Sequence, residues 1–570
     1  MIALVTSTLR SSLCTAGAAL PLVLGIILTP GCVGPIDAPR AVTAGLGTAV
    51  LSADGQELGT VDFPTSCSAE AQGELELGLA LLHHMNYIKA EGVFRGAAEI
   101  DPECALAYWG VAMTYVHPLW PDNISAENLV RGQKLMAKAA VAAHSSPREE
   151  GYLNAVAGYY EGQERSERER LAAFLEGWIL VHANHPADTE AALFHALALL
   201  ATADVSDKTH QKQSAAGAII EGVMERIARH PGAHHYTIHA YDFPPLAERA
   251  LDIARRYDDL APENTHALHM TSHIFTRLGL WSESIEFNVR AAAASSQRTA
   301  KGDVSIHYLH ALDYLVYALL QSADDVAADR VMEQIRALEP PFQSHSATAY
   351  GFAGVPARLA LERHNWEQAA AVEVRWPAEV DWDQHPYSEA ISYFARALGA
   401  AHTGKPQEAR VAIAEFSRLE EAAKALNIAY DWGTQVAIQR IAAEAWLAYE
   451  SGDTERGLEL ALEAAEMEGA TEKSPVTPGE VLPARELYGD MLLASGKHKE
   501  AIEAYETALA RSPNRFNSLY GAGRAAELVG DGEAAKAFYG QLVETCAAAT
   551  GDRVELEHAR DYVAADSTPT

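Results

Sequence analysis

The chain has 570 residues, 48% of them hydrophobic and 21% charged, an ordinary soluble composition with ample apolar material for a core. At this length a single closed core is not expected; several domains or a growing stack of repeats is. The formal charge of −33, from 77 acidic against 44 basic residues, repels phosphate backbones and anionic headgroups and argues against nucleic acid as a partner.

Residues 1–31 read as a signal peptide: one charged side chain, Arg10, an apolar run from Ala16 to Leu28, then Thr29-Pro30-Gly31-Cys32. The run is short for a membrane span. Gly31-Cys32 resembles a bacterial lipoprotein cleavage site, which implies a lipid anchor on Cys32 and a periplasmic or outer-membrane, cell-surface location. Plain secretion and an uncleaved anchor are the alternatives. Residues 32–66, rich in Gly, Pro, Ala and Thr without a helical period, form a linker with room for one short hairpin. Cys67 and Cys104 each precede a predicted helix, and both a disulfide and two free buried thiols are open to them.

Residues 67–470 are almost entirely helical in pattern, with apolar side chains at i, i+3, i+4 and i+7 punctuated by Gly, Asp and Pro. Residues 149–168 and 468–481 read as irregular connections. Hairpins are expected at 359–370, 397–412 and 446–460. A connection at 471–482 leads to a regular pair of hairpins over 483–550, and 551–570 is a tail. In the regular pair, Gly489 and Gly523, Ala501 and Ala535, and Tyr505 and Tyr539 are each 34 residues apart (523 − 489), with Pro513 closing a second helix. The same template fits Gly78, Ala90, Phe94, Ala97 and Pro102. The turn at Gly279, Trp281 and Ser284 repeats that at Gly496, His498 and Ala501.

This pattern resembles the tetratricopeptide repeat. The resemblance implies an all-α, right-handed superhelical solenoid of helical hairpins whose first helices line a concave groove. It is similar to exported bacterial repeat proteins with histidine-rich groove helices, a likeness that implies no activity.

Twenty-three histidines are unevenly spread, and six of them, His234, His235, His239, His266, His269 and His273, fall within forty residues. His235 and His239 are i and i+4, and so are His269 and His273, so each pair projects from one helix face. The second pair follows the first by 34 residues (269 − 235), which places the two on equivalent first helices of adjacent repeats. Counting from Ser272 and Ile238 as the small packing positions of the family template, the resemblance puts His235, His239, His266, His269 and His273 in the groove. Paired helical imidazoles are how many zinc, copper and iron sites are built. The expected metal ligands are His235, His239, His269 and His273, with His266 and His310 as outer candidates. Asp242, Asp303 or Asp313 would complete the shell or orient a ring. His83 and His117, near Met113 and Trp120, reach the same groove if the solenoid curls tightly. His307 also follows His273 by 34 residues, but the turn at 322–325 implies a longer helix there and breaks the equivalence.

Three uses of these residues stay open. A metal ion bound in the groove is the first. Recognition of a peptide or protein, preferably basic, without metal is the second. The third is a metal-dependent hydrolase or oxidoreductase with an open coordination position. There is no phosphate loop, no Gly-x-Ser-x-Gly elbow and no His-Glu-x-x-His, because Tyr236 stands where the glutamate would be needed.

Overall fold

The computed structural model describes residues 47–565, apart from 53–54, 121–122, 144, 205, 263, 296, 300, 427 and 429. The signal segment and Cys32 lie outside the described residues. Within them are 25 α-helices and one two-stranded sheet, the antiparallel pair Thr48–Leu51 and Glu57–Val61 in the linker. None of the described helices is long and apolar enough to cross a membrane.

Twelve helical hairpins stack in chain order, from Ala69–His83 with Tyr87–Ile100 to Phe516–Val529 with Gly532–Thr545, and Val554–Ala565 covers the end. The fold is the expected all-α superhelical solenoid. In the two regular hairpins near the C-terminus a glycine meets a ring: a Cβ on Gly489 would lie 2.8 Å from the Tyr505 ring, and one on Gly523 2.6 Å from Tyr539. That is why Gly and Tyr recur together at the repeat period, since a close helix crossing leaves no room for a second side chain. Cys67 and Cys104 are joined as a disulfide, which pins the start of the first repeat to the start of the second.

Two expectations are corrected. Residues 149–168 are not an irregular connection but belong to Pro147–Tyr160 and Glu167–Asn184, each begun by a capping box, Ser146 with Glu149 and Ser166 with Glu169. The expected tail from residue 551 is, over the described residues 551–565, not simply a tail: Leu556 and Ala559 of the last helix are buried against Phe516 and Leu542.

The larger departure is that the inner face is not an open groove. The chain turns back on itself, so that Trp281 Nε1 donates to Asn514 O (2.8 Å) and a Cβ on Gly279 would meet the Pro513 backbone. Arg515, fully buried, bridges Glu362 (2.9 Å) and Glu486 (2.8 Å). The irregular stretch between Thr454–Gly469 and Ala484–Ala494 crosses the inner face. Lys473 Nζ donates to Asp242 Oδ2 (2.8 Å), Tyr314 OH to Thr477 O (3.0 Å) and Tyr350 OH to Gly479 O (3.2 Å).

Candidate metal centre

The site grows from three first helices. Pro231–Tyr241 starts at a proline pre-set for the first helical turn, capped by His230, whose ring accepts from Gly232 N. Thr265–Arg277 starts at Asn264, which accepts from Ala267 N. Ile306–Gln321 follows a loop that contains Asp303. His235, His269, His273, His266 and His310 are between 0% and 8% exposed, and His239 is partly buried. Burial pushes the His235 ring down to about 3 and holds His239, His266, His269 and His310 well below the usual imidazole range. Burial lowers His273 too, partly offset by its hydrogen bond to Asp242. At neutral pH these rings are neutral, the form in which imidazole binds metal.

Hydrogen-bond partners fix which nitrogen carries the proton. His269 Nδ1 lies 2.9 Å from Asn288 Oδ1, and the Asn288 amide nitrogen is spent on Ser284 O (2.7 Å), so Oδ1 is an acceptor and His269 Nδ1 is the donor. His273 Nδ1 donates to the Asp242 carboxylate (3.1 Å). In both neutral rings Nε2 is therefore a bare lone pair, yet the two Nε2 atoms face each other at 3.1 Å. No proton is left to put between them. Two imidazole nitrogens held about 2.0–2.1 Å from one tetrahedral ion sit roughly 3.3 Å apart. His310 completes the set: one nitrogen from each of His269, His273 and His310 lies within 4.8 Å of the other two. The arrangement can bind a dication through three nitrogens, with Asn288 and Asp242 holding two rings from behind. Burial opposes ionisation of Asp242, but Lys473 and Arg277 overcome it and keep the carboxyl far below its ordinary range.

The remaining candidates fall differently. His235, His239 and His266 form a neighbouring group rather than one set with His269 and His273. His235 Nδ1 donates to the His83 backbone oxygen (2.7 Å), and its Nε2 lies 3.2 Å from Nε2 of both His239 and His266. The His83 side chain does not join them, because Glu190 takes it. His83 Nε2 and His230 Nε2 donate to the two Glu190 oxygens (2.7 and 2.8 Å), and Tyr236 OH sits 2.9 Å from His83 Nδ1. Every proton there has an acceptor, so this trio is a hydrogen-bonded network that needs no cation. His117 lies beyond the end of Ala105–Met113, packed on Tyr87 with Nε2 directed at Thr114 O (3.1 Å). Asp313 is committed to the buried Arg358 and is not a ligand. His307, discounted from its spacing, does approach the group, its ring 5.8 Å from that of His266.

Asn288 and Lys473 were not anticipated as parts of the site, whereas Trp120, expected near the groove, does line it. Asn288 had a signal: Trp281, Ser284, Phe287, Asn288 and Ala291 form the buried stripe of Trp281–Ala294, and a large amide on such a stripe needs a buried partner. Trp120, Met85, Met270 and Val476 join His239, His266, His273 and His310 around a cavity of about 20 Å³, room for a water-sized ligand.

In comparison with known proteins, residues 442–516 and 487–550 match the family described as tetratricopeptide repeat. No curated protein matches the chain. Among solved structures, it is similar to yeast Tom70, with 13% identity, a TM-score of 0.32, and coverage of 87% of this chain and 95% of that chain. It is also similar to Naa15/Naa10 bound to HypK-THB, with 12% identity, a TM-score of 0.24, and coverage of 87% and 74%.

Proposed function

Taking residues 442–550 as tetratricopeptide repeats that continue one stack of hairpins, we propose that this protein is a metal-binding solenoid whose ion sits on His269, His273 and His310. The observation that carries the reading is the 3.1 Å approach of two Nε2 lone pairs whose rings have both given their protons to other acceptors. Lone pairs at that distance repel unless a cation lies between them. Three neutral imidazoles and no carboxylate ligand select zinc, copper or iron over magnesium or calcium. We place the protein outside the cytoplasm, where the Cys67–Cys104 disulfide is chemically at home. Cys32 as a lipid anchor is part of the same proposal.

The test is elemental analysis of the purified protein beside the His269→Ala, His273→Ala variant. Near-stoichiometric zinc, copper or iron in the parent and a loss at these ligands in the variant are expected. A parent that carries no metal, even after incubation with each ion, sinks the reading.

A second reading has its own support. The family match over 442–550 favours a scaffold for protein partners, and the charge of −33 favours basic ones. Such a partner would use the exposed faces of the repeats, since the strap at 471–483 fills the inner face beside the histidines. Salt-sensitive capture of a basic partner by a variant lacking His269 and His273 would separate that role from metal binding.

A further inference from the structure

We infer that the cavity adjoining the metal pocket at His239 is a binding site for a small monocarboxylate, held by Arg277 and Gln213. The inference goes beyond the metal reading and does not need the ion.

The cavity has a volume of about 80 Å³, room for a ligand of a few heavy atoms. Leu119, His239 and Pro475 wall both it and the cavity of about 20 Å³ beside the metal centre. Glu472, Lys473 and Pro475, from the stretch that crosses the inner face, form one side.

Two side chains there carry donors that the protein leaves unused. Arg277 is 6% exposed, and its only bonds run from Nε to the Asp242 main-chain oxygen (3.2 Å) and to Asp242 Oδ1 (2.8 Å). Neither of its terminal nitrogens has a partner among the described residues. A buried guanidinium with idle donors is costly, because those donors have given up bulk water. Gln213 is 3% exposed, and its amide likewise makes no hydrogen bond among the described residues. It stands on the buried stripe of Gln211–Met224, where leucine would cost less unless a ligand engages the amide.

Charge selects the class of ligand. Asp242 faces two cations, Arg277 (2.8 Å) and Lys473 (2.8 Å), and Glu472 is held by Lys208 (2.6 Å). Burial lowers Lys473 only to about 8, so it stays largely protonated at neutral pH. Three cations against two carboxylates leave one positive charge over, inside a chain whose formal charge is −33. A singly charged anion balances it, whereas a sulfate or phosphate dianion overshoots. Shape narrows the choice further. The two terminal nitrogens of a guanidinium form a planar fork that matches the two oxygens of a carboxylate. Leu119, Leu200 and Phe243 on the wall suit a short alkyl chain rather than a second polar group.

The experiment titrates propionate into the full chain, stripped of metal, and reads the heat of binding and the melting temperature. One propionate per chain and a raised melting temperature are expected. Sulfate at matched ionic strength should do neither, nor should propan-1-ol, which has the chain without the charge. Gln213→Leu should fold at least as stably as the parent without ligand, and bind propionate about 10-fold more weakly, the loss of one hydrogen bond to a charged group. Arg277→Gln should abolish binding, with circular dichroism reporting its fold. No heat and no melting shift with propionate in the parent overturns the site. Unchanged affinity in Gln213→Leu, or in a folded Arg277→Gln, overturns it as well. Sulfate or propan-1-ol bound as tightly as propionate overturns the carboxylate assignment. The metal content of the parent is measured separately, so the metal reading stands or falls on its own.

Discussion

At the residue scale, the chemistry turns on protons assigned by partners that bind no metal themselves. Asn288 accepts from His269 Nδ1, and Asp242 accepts from His273 Nδ1, so each keeps an Nε2 lone pair aimed inward. Replacing Asn288 with Ala frees the His269 ring to turn and change tautomer. Metal affinity is expected to fall about 10–100-fold, the usual effect of losing a ligand's orienting partner. Competition against a chromophoric chelator measures this, and an unchanged affinity in a folded variant would show that Asn288 does not hold the ring. Much of the residue-level site was legible in the sequence. The i, i+4 spacing and the 34-residue offset find His235, His239, His269 and His273 without coordinates. Which imidazoles converge was not legible, because that depends on how neighbouring helices pack. His310 became a direct member of a set and His235 moved to another for that reason. Asp313 and His83 looked equally available in sequence, and only the fold shows Arg358 and Glu190 occupying them.

At the scale of elements, the hairpins depend on close crossings that tolerate no extra atom. A Cβ on Gly399 would lie 2.2 Å from Ala370 N and 2.5 Å from Trp366 O, both backbone atoms that cannot swing aside. Gly399→Ala should therefore destabilise the protein by about 1–3 kcal/mol, read as a lower melting temperature. The regular pair near the C-terminus carries a pH signature. Burial pushes the Asp490 carboxyl up to about 6, while its Oδ1 accepts from Tyr505 OH (2.6 Å). A folded value above the unfolded one means the folded state holds its proton longer, so stability falls as pH rises from about 4 through 6. Asp490→Asn keeps the acceptor and removes the ionisation. It should raise stability by about 1–2 kcal/mol at pH 8 and by little at pH 4. Melting curves at the two pH values decide it, and an equal gain at both would exclude the carboxyl as the cause. Elements with a strong period and a Gly–Tyr notch were legible, as at 489–539. The helices within 149–168 were hidden because Glu and Arg crowd them, although the Ser146 and Ser166 capping boxes marked their starts.

At the scale of the whole molecule, the stack is latched by contacts far apart in sequence, and sequence periodicity carries no information about them. Arg515 reaches Glu362, Glu486 and Tyr317 OH (2.8 Å) with no solvent exposure. Arg515→Met leaves two buried carboxylates without their cation, and a loss of about 3–5 kcal/mol is expected. The same variant should loosen the strap at 471–483, read as faster proteolysis there; protection equal to the parent's would mean the strap is held by its own contacts. The strap also sets an order in time. Whether synthesised or exported, the chain emerges with His235 through His310 ahead of residue 471, so the ligands would be complete while the face above them is still bare. Lys473, Pro475 and Val476, which lie against the histidine site in the folded protein, would then close over it as the last repeats dock. Once the latch at Arg515 forms, exchange of a bound ion waits on its opening. The ion the protein carries would thus record what the nascent chain met on folding, rather than what binds best at equilibrium.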